Sequence, residues 1–406
     1  MRGLVEAYRA LNDVYGGSWI DEAIRKQGAA LSDNKGAFRL VYGVVEHEYL
    51  YEYRVFRLVN RAPKSAIKLL LKMGMCLLDC SALPAYTVVS EIAETAKKVG
   101  KGAVVGFLNA VLRSYAEKGK DLYPDDPQEL LSVRANLPVW LVDRYIQEWG
   151  EEEATRRLTM PRTVKTHIRP AFSVGKEGLA DLLRERSVSY EETAHGFYIG
   201  AVSAVSDLLR EGKATVMSYG SAEVASAVPY IGGEILDLCA APGGKSVYLA
   251  EKYGAPVVAC DLHPHRVELV KKYAKRMRVD NVIARVEDGT VLKKEWVGAF
   301  GTVLLDAPCS GLGSLAANPD IAIHRNAYDM NDLSCAQYRL IETAGKYVKQ
   351  FGFMEYSTCS DLPSEDGDVV RWFLDRDPSF LLQEEHYTDP AEGGGESYYY
   401  AILRKV

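Results

Sequence analysis

The sequence has no apolar run long enough to cross a membrane, so neither a transmembrane helix nor a membrane partner is expected. Its opening residues, Met1 to Glu6, are charged within a few positions and contain no secretory apolar segment, which predicts a cytoplasmic location. There is no Cys-x-x-Cys pair. The seven cysteines, an odd number, are scattered along a large chain, which argues against a disulfide framework and against structural zinc; no metal is expected. Cys76 and Cys80 stand four apart in an apolar helical pattern with no further ligands, and read as core residues. Two common nucleotide signatures, G-x-G-x-x-G and the P-loop, are missing, and so is any internal repeat.

What is present is an ordinary globular composition, 48% hydrophobic and 26% charged, in 406 residues, enough for two or three domains. The net charge of −6 is unevenly spread: residues 1–120 hold 18 Lys and Arg against 12 Asp and Glu, and the remainder holds 31 against 43. A basic first third on an acidic body suits a polyanionic partner; the plainer alternative is an uneven solvated surface.

The first 120 residues read as helical. Ile67, Leu70, Leu71, Gly74 and Leu78 recur at helical spacing after a start signal at Pro63-Lys-Ser. The segment Ala103 to Arg113 is apolar nearly all round, which predicts a central, buried helix. Tyr123-Pro-Asp-Asp-Pro127 breaks the pattern and reads as a linker. From about 128 to 225 the character is mixed, with helices over Trp140–Trp149 and Glu177–Arg186 and strands over Lys165–Phe172 and His195–Gly200.

After 225 the rhythm becomes β-α-β. Strands are expected at Glu234–Leu238, Pro256–Asp261, Asn281–Val286, Thr302–Asp306 and Phe351–Ser357, helices at Lys245–Lys252 and Arg266–Met277, and closing strands at Phe380–Glu384 and Tyr398–Leu403. Such alternation means an α/β fold with a doubly wound, Rossmann-like parallel sheet. Chemistry then sits at the carboxyl ends of the strands.

There, Cys239-Ala240-Ala241-Pro242-Gly243-Gly244-Lys245 forms a tight turn between a strand and a helix start, where backbone amides are open to a ligand. Asp237, Asp261, Asp288 and Asp306 close four successive strands, Asp261 where a ribose diol is bound and Asp288 where an adenine amino group is met. Arg266 opens the helix after Asp261 and is counted with this set. So many acids suit a cationic sulfonium better than a pyrophosphate, and S-adenosylmethionine is the natural cofactor.

Two thiols reach the same crevice: Cys309 in Asp306-Ala-Pro-Cys309-Ser-Gly and Cys359 in Ser357-Thr-Cys359-Ser. Few reactions need two thiols and a carboxylate, and methylation of carbon 5 of cytosine is one. That carbon becomes nucleophilic only after a thiolate adds at carbon 6. A carboxylic acid such as Asp306 must offset charge on the base, and a base must then remove the carbon-5 proton so that the thiol can leave. Chemistry alone leaves open which cysteine is the nucleophile.

The motifs DLCAAPGGKS, LLDAPCSGLGS and YSTCS resemble those of the Sun/Fmu-type RNA (cytosine-5) methyltransferases, a branch of the Nop2/Sun family. The resemblance implies that Cys359 is the nucleophile, that Cys309 assists product release, and that Asp306 contacts the base. It also implies that Cys239 through Lys245, with Asp261 and Asp288, hold the cofactor. Residues 1–120, including Phe107-Leu-Asn-Ala-Val-Leu-Arg113, resemble the NusB-type helical domain carried by the small-subunit ribosomal RNA enzyme, and Asn136–Leu141 resembles its connecting region. Three segments depart from the family pattern: Ser314–Asn318 before Pro319-Asp-Ile321, Met217-Ser-Tyr-Gly220 ahead of the cofactor loop, and Ile168-Arg-Pro-Ala171.

The expectation is therefore a NusB-like RNA-binding domain over 1–124, an α+β connector over 125–225 and a methyltransferase domain over 226–406. It would act, as a monomer, on a cytidine of ribosomal RNA of the small subunit (16S). A transfer RNA methyltransferase of the same class, or a non-catalytic assembly factor with a decayed domain, are the alternatives.

Overall fold

The structure, a computed structural model, describes residues 2–161, 165–388, 390 and 394–406. Its contacts separate two units, Met1–Met160 with Asn318–Arg325, and Pro161–Ala317 with Asn326–Val406.

The described residues of the first unit form helices and turns. Its centre is the helix Ser65–Cys80, in which every residue from Leu69 to Leu78 is buried. Each leucine or methionine fully withdrawn from water there contributes about 1.5–3 kcal/mol. Lys72 is tolerated because it lies 2.5 Å from both Glu48 and Glu52. Helices Leu4–Tyr15, Lys35–Glu46 and Ala85–Lys98 pack around it, each through an apolar stripe.

Three expectations are corrected here. The segment Ala103–Arg113 is not the buried centre: it enters as a short 3-10 turn and continues as helix Val105–Ser114, which buries only Leu108, Val111 and Leu112. Phe107 is 40% exposed. Its neighbours Ser65–Cys80 and Ala85–Lys98 cover one side, and apolar composition cannot say how many sides will be covered. Cys76 is buried as expected, but Cys80, in the last residue of the same helix, is exposed. And the stretch Tyr123–Pro127 is only partly irregular, because Pro127 opens helix Pro127–Ala135. Its N-cap Asp126 accepts from the amides of Gln128 and Glu129, a cap that stabilises by about 1 kcal/mol.

Helices Val139–Trp149 and Glu151–Thr159 follow in this unit. The short segment Asn318–Arg325 belongs to it as well. There Asp320 accepts from the Ile20 amide at 2.7 Å, and Tyr49 donates its hydroxyl to the Ala322 carbonyl at 2.9 Å.

The second unit begins with a small antiparallel sheet. Its strands are β1 (Thr166–Pro170), β2 (Tyr190–Glu192), β3 (Phe197–Ile199) and β4 (Ala214–Val216), in the order β2-β3-β1-β4. Helix Gly175–Glu185 packs on it through Leu179 and Leu183.

The large sheet follows, with β5 (Ile235–Asp237), β6 (Val257–Asp261), β7 (Val282–Val286), β8 (Phe300–Asp306), β9 (Val348–Thr358), β10 (Phe380–Tyr387) and β11 (Tyr399–Lys405). Their order is β10-β11-β9-β8-β5-β6-β7, parallel from β9 to β7 and antiparallel at β11 and β10. The central strands are continuous apolar runs because helices cover both faces. Val303 and Leu305 face helices Ala327–Tyr347 and Gly367–Arg376, whereas Leu304 packs with Leu249 and Ala250 of helix Gly244–Tyr253 on the other face. Edge strand β10 carries Glu384 and Glu385 at exposed positions, which discourages pairing with another chain.

The chain runs β5, β6, β7 in one direction and then returns to place β8 on the far side of β5. That reversal makes a switch point, where an open α/β sheet leaves a crevice.

Candidate active site

The crevice is furnished by the turns that leave β5, β6, β8 and β9. After β5, Gly243 takes a left-handed backbone (φ +106) and caps helix Gly244–Tyr253. A side chain there would be strained, and its Cβ would come within 3.0 Å of the Val270 backbone. Gly244, by contrast, faces open space, with only the Tyr273 hydroxyl at 3.8 Å from a Cβ built on it. The turn is tied to the sheet by the Ala240 amide, which donates to the Cys260 carbonyl at 2.8 Å.

Asp261, at the end of β6 and 3% exposed, holds the same turn. Its Oδ2 accepts from the Ala241 amide at 3.3 Å, its Oδ1 from the His263 amide at 3.2 Å. Arg266 reaches both partners, 3.5 Å from Asp261 Oδ2 and donating to the Ala241 carbonyl at 3.2 Å. Asp237 lies fully buried beneath, its Oδ2 accepting from Ser246 at 2.6 Å; burial pushes its carboxyl up to about 7. Asp288, two residues past β7, turns its Oδ1 to the amide and hydroxyl of Thr290, and these bonds hold its pKa below the usual range. Burial pushes the Cys239 thiol well up.

Beyond β8 stands another cluster of polar side chains. Lys245, in the first turn after β5, places its Nζ 2.7 Å from Asp306 Oδ2. Burial opposes the ammonium charge, but Asp306 and then the Cys359 sulfur outweigh it and hold Lys245 above the usual lysine value. The other oxygen, Asp306 Oδ1, accepts from Ser357 at 3.0 Å. That contact follows from the strand register, since Asp306 and Ser357 are paired residues of β8 and β9.

The loops that leave these paired strands carry the two thiols, and Cys309 Sγ and Cys359 Sγ are 3.3 Å apart. The hydrogen bond to Cys359, then burial, push the Cys309 thiol well above the ordinary range.

Asp306, Lys245, Cys309 and Cys359 therefore form one cluster, Cys239–Lys245 with Asp261 and Arg266 a second beside it, and Asp288 stands apart on Thr290. Sequence reasoning missed a buried network behind the thiols. Glu365, in the 3-10 turn Pro363–Glu365, accepts from the Ser310 amide at 2.8 Å, from Gln337 at 3.1 Å, from Ser360 at 2.7 Å and from the Ser310 hydroxyl. The available signal was small: a serine follows each cysteine, and an acid pair, Glu365-Asp366, comes soon after the second. The departing segment Met217–Gly220 also finds a place. Ser218 is 2.9 Å from the Tyr398 hydroxyl, and Gly220 lies so close to the Tyr398 ring that a Cβ would come within 2.2 Å of it.

Comparison with known proteins finds likenesses in both parts of the chain. Residues 228–401 match the family described as 16S rRNA methyltransferase RsmB/F, and residues 6–117 match the NusB family. The ribosomal RNA small subunit methyltransferase B of Yersinia enterocolitica is 30% identical over 368 residues, which span 83% of this chain and 81% of that one. A probable ribosomal RNA small subunit methyltransferase B of Bacillus subtilis is 27% identical, over 88% of this chain and 84% of its own. The crystal structure of PH0851 superposes with a TM-score of 0.83 at 23% identity, covering 100% of this chain and 98% of that one, a likeness of fold.

Proposed function

We propose that this chain, which belongs to the 16S rRNA methyltransferase RsmB/F family, methylates carbon 5 of a cytidine in small-subunit ribosomal RNA through a covalent cysteine–cytosine adduct. The observation that carries the reading is the thiol pair, 3.3 Å apart, beside the Lys245–Asp306 ion pair.

S-adenosylmethionine is the cofactor, and the residues present fit it. Gly244 leaves the loop open to a ligand. Asp306, Asp237, Asp261 and Asp288 stand at or just past the carboxyl ends of the adjacent strands β8, β5, β6 and β7, and the buried Asp237 Oδ1 has no hydrogen-bond partner among the described residues. Cys239 through Lys245, Asp261, Arg266 and Asp288 would hold it, with Asp261 on the ribose and Asp288 at the adenine. When bound it supplies an electrophilic methyl group on a sulfonium.

The chain's own residues do the rest. Asp306 receives the amino edge of the cytosine, and Lys245, 2.7 Å from it, offsets charge as the ring gains electrons. The Cys359 thiolate adds to carbon 6 and leaves carbon 5 nucleophilic. Cys359 takes this part because it stands in the Thr358-Cys359-Ser360 motif, which resembles the family's nucleophile segment. Cys309 serves release: once its own proton has passed to solvent, its thiolate takes the carbon-5 proton, those electrons restore the double bond between carbons 5 and 6, and the bond from carbon 6 breaks with its electron pair returning to the Cys359 sulfur.

The basic region 1–124 supplies RNA affinity and 226–406 carries the reaction, while the expected connector 125–225 is divided, its helices up to Thr159 lying in the first unit and its small sheet in the second; the protein works as a monomer in the cytoplasm. Bisulfite sequencing of total RNA from a strain lacking the gene tests the whole. One 5-methylcytidine of small-subunit ribosomal RNA should disappear and return with the wild-type gene but not with Cys359→Ala. No lost position in that RNA, or loss in a transfer RNA instead, would overturn the substrate assignment.

A further inference from the structure

We propose that Glu365 is a positioning residue that sets the separation of the two thiols by holding the loops of both on one carboxylate. The proposal rests on the reading of Cys309 and Cys359 as the reacting pair. Pairing of β8 with β9 ends at Asp306 and Ser357, so both cysteines lie beyond the last register partners and their spacing is decided by loops. Each cysteine is followed by a serine, and both serines turn to Glu365.

Glu365 is 0% exposed. Its Oε1 accepts from the Ser310 amide at 2.8 Å and Gln337 Nε2 at 3.1 Å; its Oε2 accepts from the hydroxyls of Ser310 and Ser360. Gln337 also donates to the Pro308 carbonyl at 3.0 Å, so the residues on both sides of Cys309 are held. The residues flanking Cys359 are held too, since Thr358 donates to Asp366 Oδ1 at 2.5 Å and Ser360 to Glu365. The turn that carries Glu365 is itself anchored by the Tyr356 hydroxyl, which donates to the Glu365 carbonyl at 2.6 Å.

A carboxylate buried to this extent must have its oxygens satisfied by donors. Neither serine can withdraw without leaving the acid underpaired, so the two loops move together or not at all. The thiols depend on that. At 3.3 Å they are in hydrogen-bond contact, and a misplacement of about 1 Å in a catalytic geometry costs on the order of 10²-fold in rate.

Three variants of the full chain separate reach from charge. Glu365→Gln can reproduce the network: its amide oxygen accepts from Ser310 N–H and Gln337, and its amino group donates to the two hydroxyls, which rotate to receive it. Glu365→Asp keeps the charge but loses the reach, and Glu365→Ala loses both. The direct reading is the rate at which diamide, by taking up the two thiol hydrogens, joins Cys309 and Cys359, followed by peptide mass spectrometry on the protein alone. Glu365→Asp and Glu365→Ala should slow this joining by about tenfold or more, and Glu365→Gln by less than about threefold. In turnover, the first two should lose kcat while KM for RNA and calorimetric affinity for S-adenosylmethionine stay put, and Glu365→Gln should restore kcat.

If Glu365→Ala does not fold, the contrast of Asp with Gln decides. Joining at the wild-type rate in Glu365→Asp, or equal slowing in Glu365→Gln, overturns the proposal. Should no variant or wild-type protein ever form an RNA adduct, the mechanistic reading fails, and the joining rates still decide whether Glu365 spaces the thiols.

Discussion

The chain holds two neighbouring pairs of thiols, and they arise in opposite ways. Cys76 and Cys80 are one helical turn apart, so the contact is local and comes with the helix. Cys309 and Cys359 are fifty residues apart, and meet because β8 and β9 run side by side in parallel and the loops that follow them turn toward each other. The surroundings differ as much. Around the helical pair the Cys76 hydrogen bond, then the nearby His47, draw the exposed Cys80 thiol down to about 6, against the opposing effects of burial and Asp79. Around the sheet pair stand the Lys245 ammonium, the Asp306 carboxylate and the buried Glu365, which accepts from both loops. A low-pKa thiol is thus no sign of catalysis by itself; what the thiol faces is.

The widest gap between the two pairs should appear in turnover. Cys359→Ala should lose methyl transfer by on the order of 10⁴–10⁶-fold, as removal of a nucleophile does in a unit of cooperating residues, and form no adduct. Cys309→Ala should accumulate a protein–RNA complex that survives a denaturing gel. Cys80→Ala should leave methylation as it was. A crosslink in Cys359→Ala with none in Cys309→Ala would swap the roles, and loss of activity in Cys80→Ala would erase the contrast.

A smaller loss is expected when the sheet pair keeps its thiols but loses its charge partner. Asp306→Asn should lower kcat by about 10²–10³-fold, the usual cost of one misplaced electrostatic contact to the reacting group. It should leave affinity for S-adenosylmethionine largely intact by calorimetry. Near-normal turnover would make Asp306 a scaffold for Lys245 and Ser357.

Next in size is the cofactor side, which the helical pair lacks altogether. Asp261→Ala removes an acceptor for a ribose hydroxyl, at a cost on the order of 1.5–3 kcal/mol in binding. An unchanged dissociation constant would restrict Asp261 to its contacts with Ala241 and Arg266.

The smallest effect is a pH profile. With its pKa near 6, Cys80 gains thiolate as pH rises through that value, so iodoacetamide should modify it at a rate that rises from pH 5 and levels off above about pH 7. In Cys76→Ala the largest cause is gone, and the midpoint should move up toward the ordinary thiol range of about 8.5. A wild-type midpoint already in that range would show that the helical pair does not share a hydrogen bond in solution.

How much was legible follows from range. The sequence by itself determined the central strands β5, β6 and β8, because a parallel strand covered on both faces must be a continuous apolar run, and here each is closed by an aspartate. It determined that two thiols, Asp306 and a glycine turn would arrive at strand ends, since those residues adjoin the strands that carry them. Burial it could not determine. Ala103–Arg113 and Ser65–Cys80 are both apolar, and which one is surrounded depends on neighbours far along the chain. Only the tertiary structure decided the 3.3 Å between the sulfurs, the grip of Lys245 on Asp306 and the meeting of Ser310, Gln337 and Ser360 on Glu365. Each joins segments distant in sequence across a gap that a shift of one residue in register, or about an ångström in a loop, would open, and no local pattern of residue types encodes a distance of that kind.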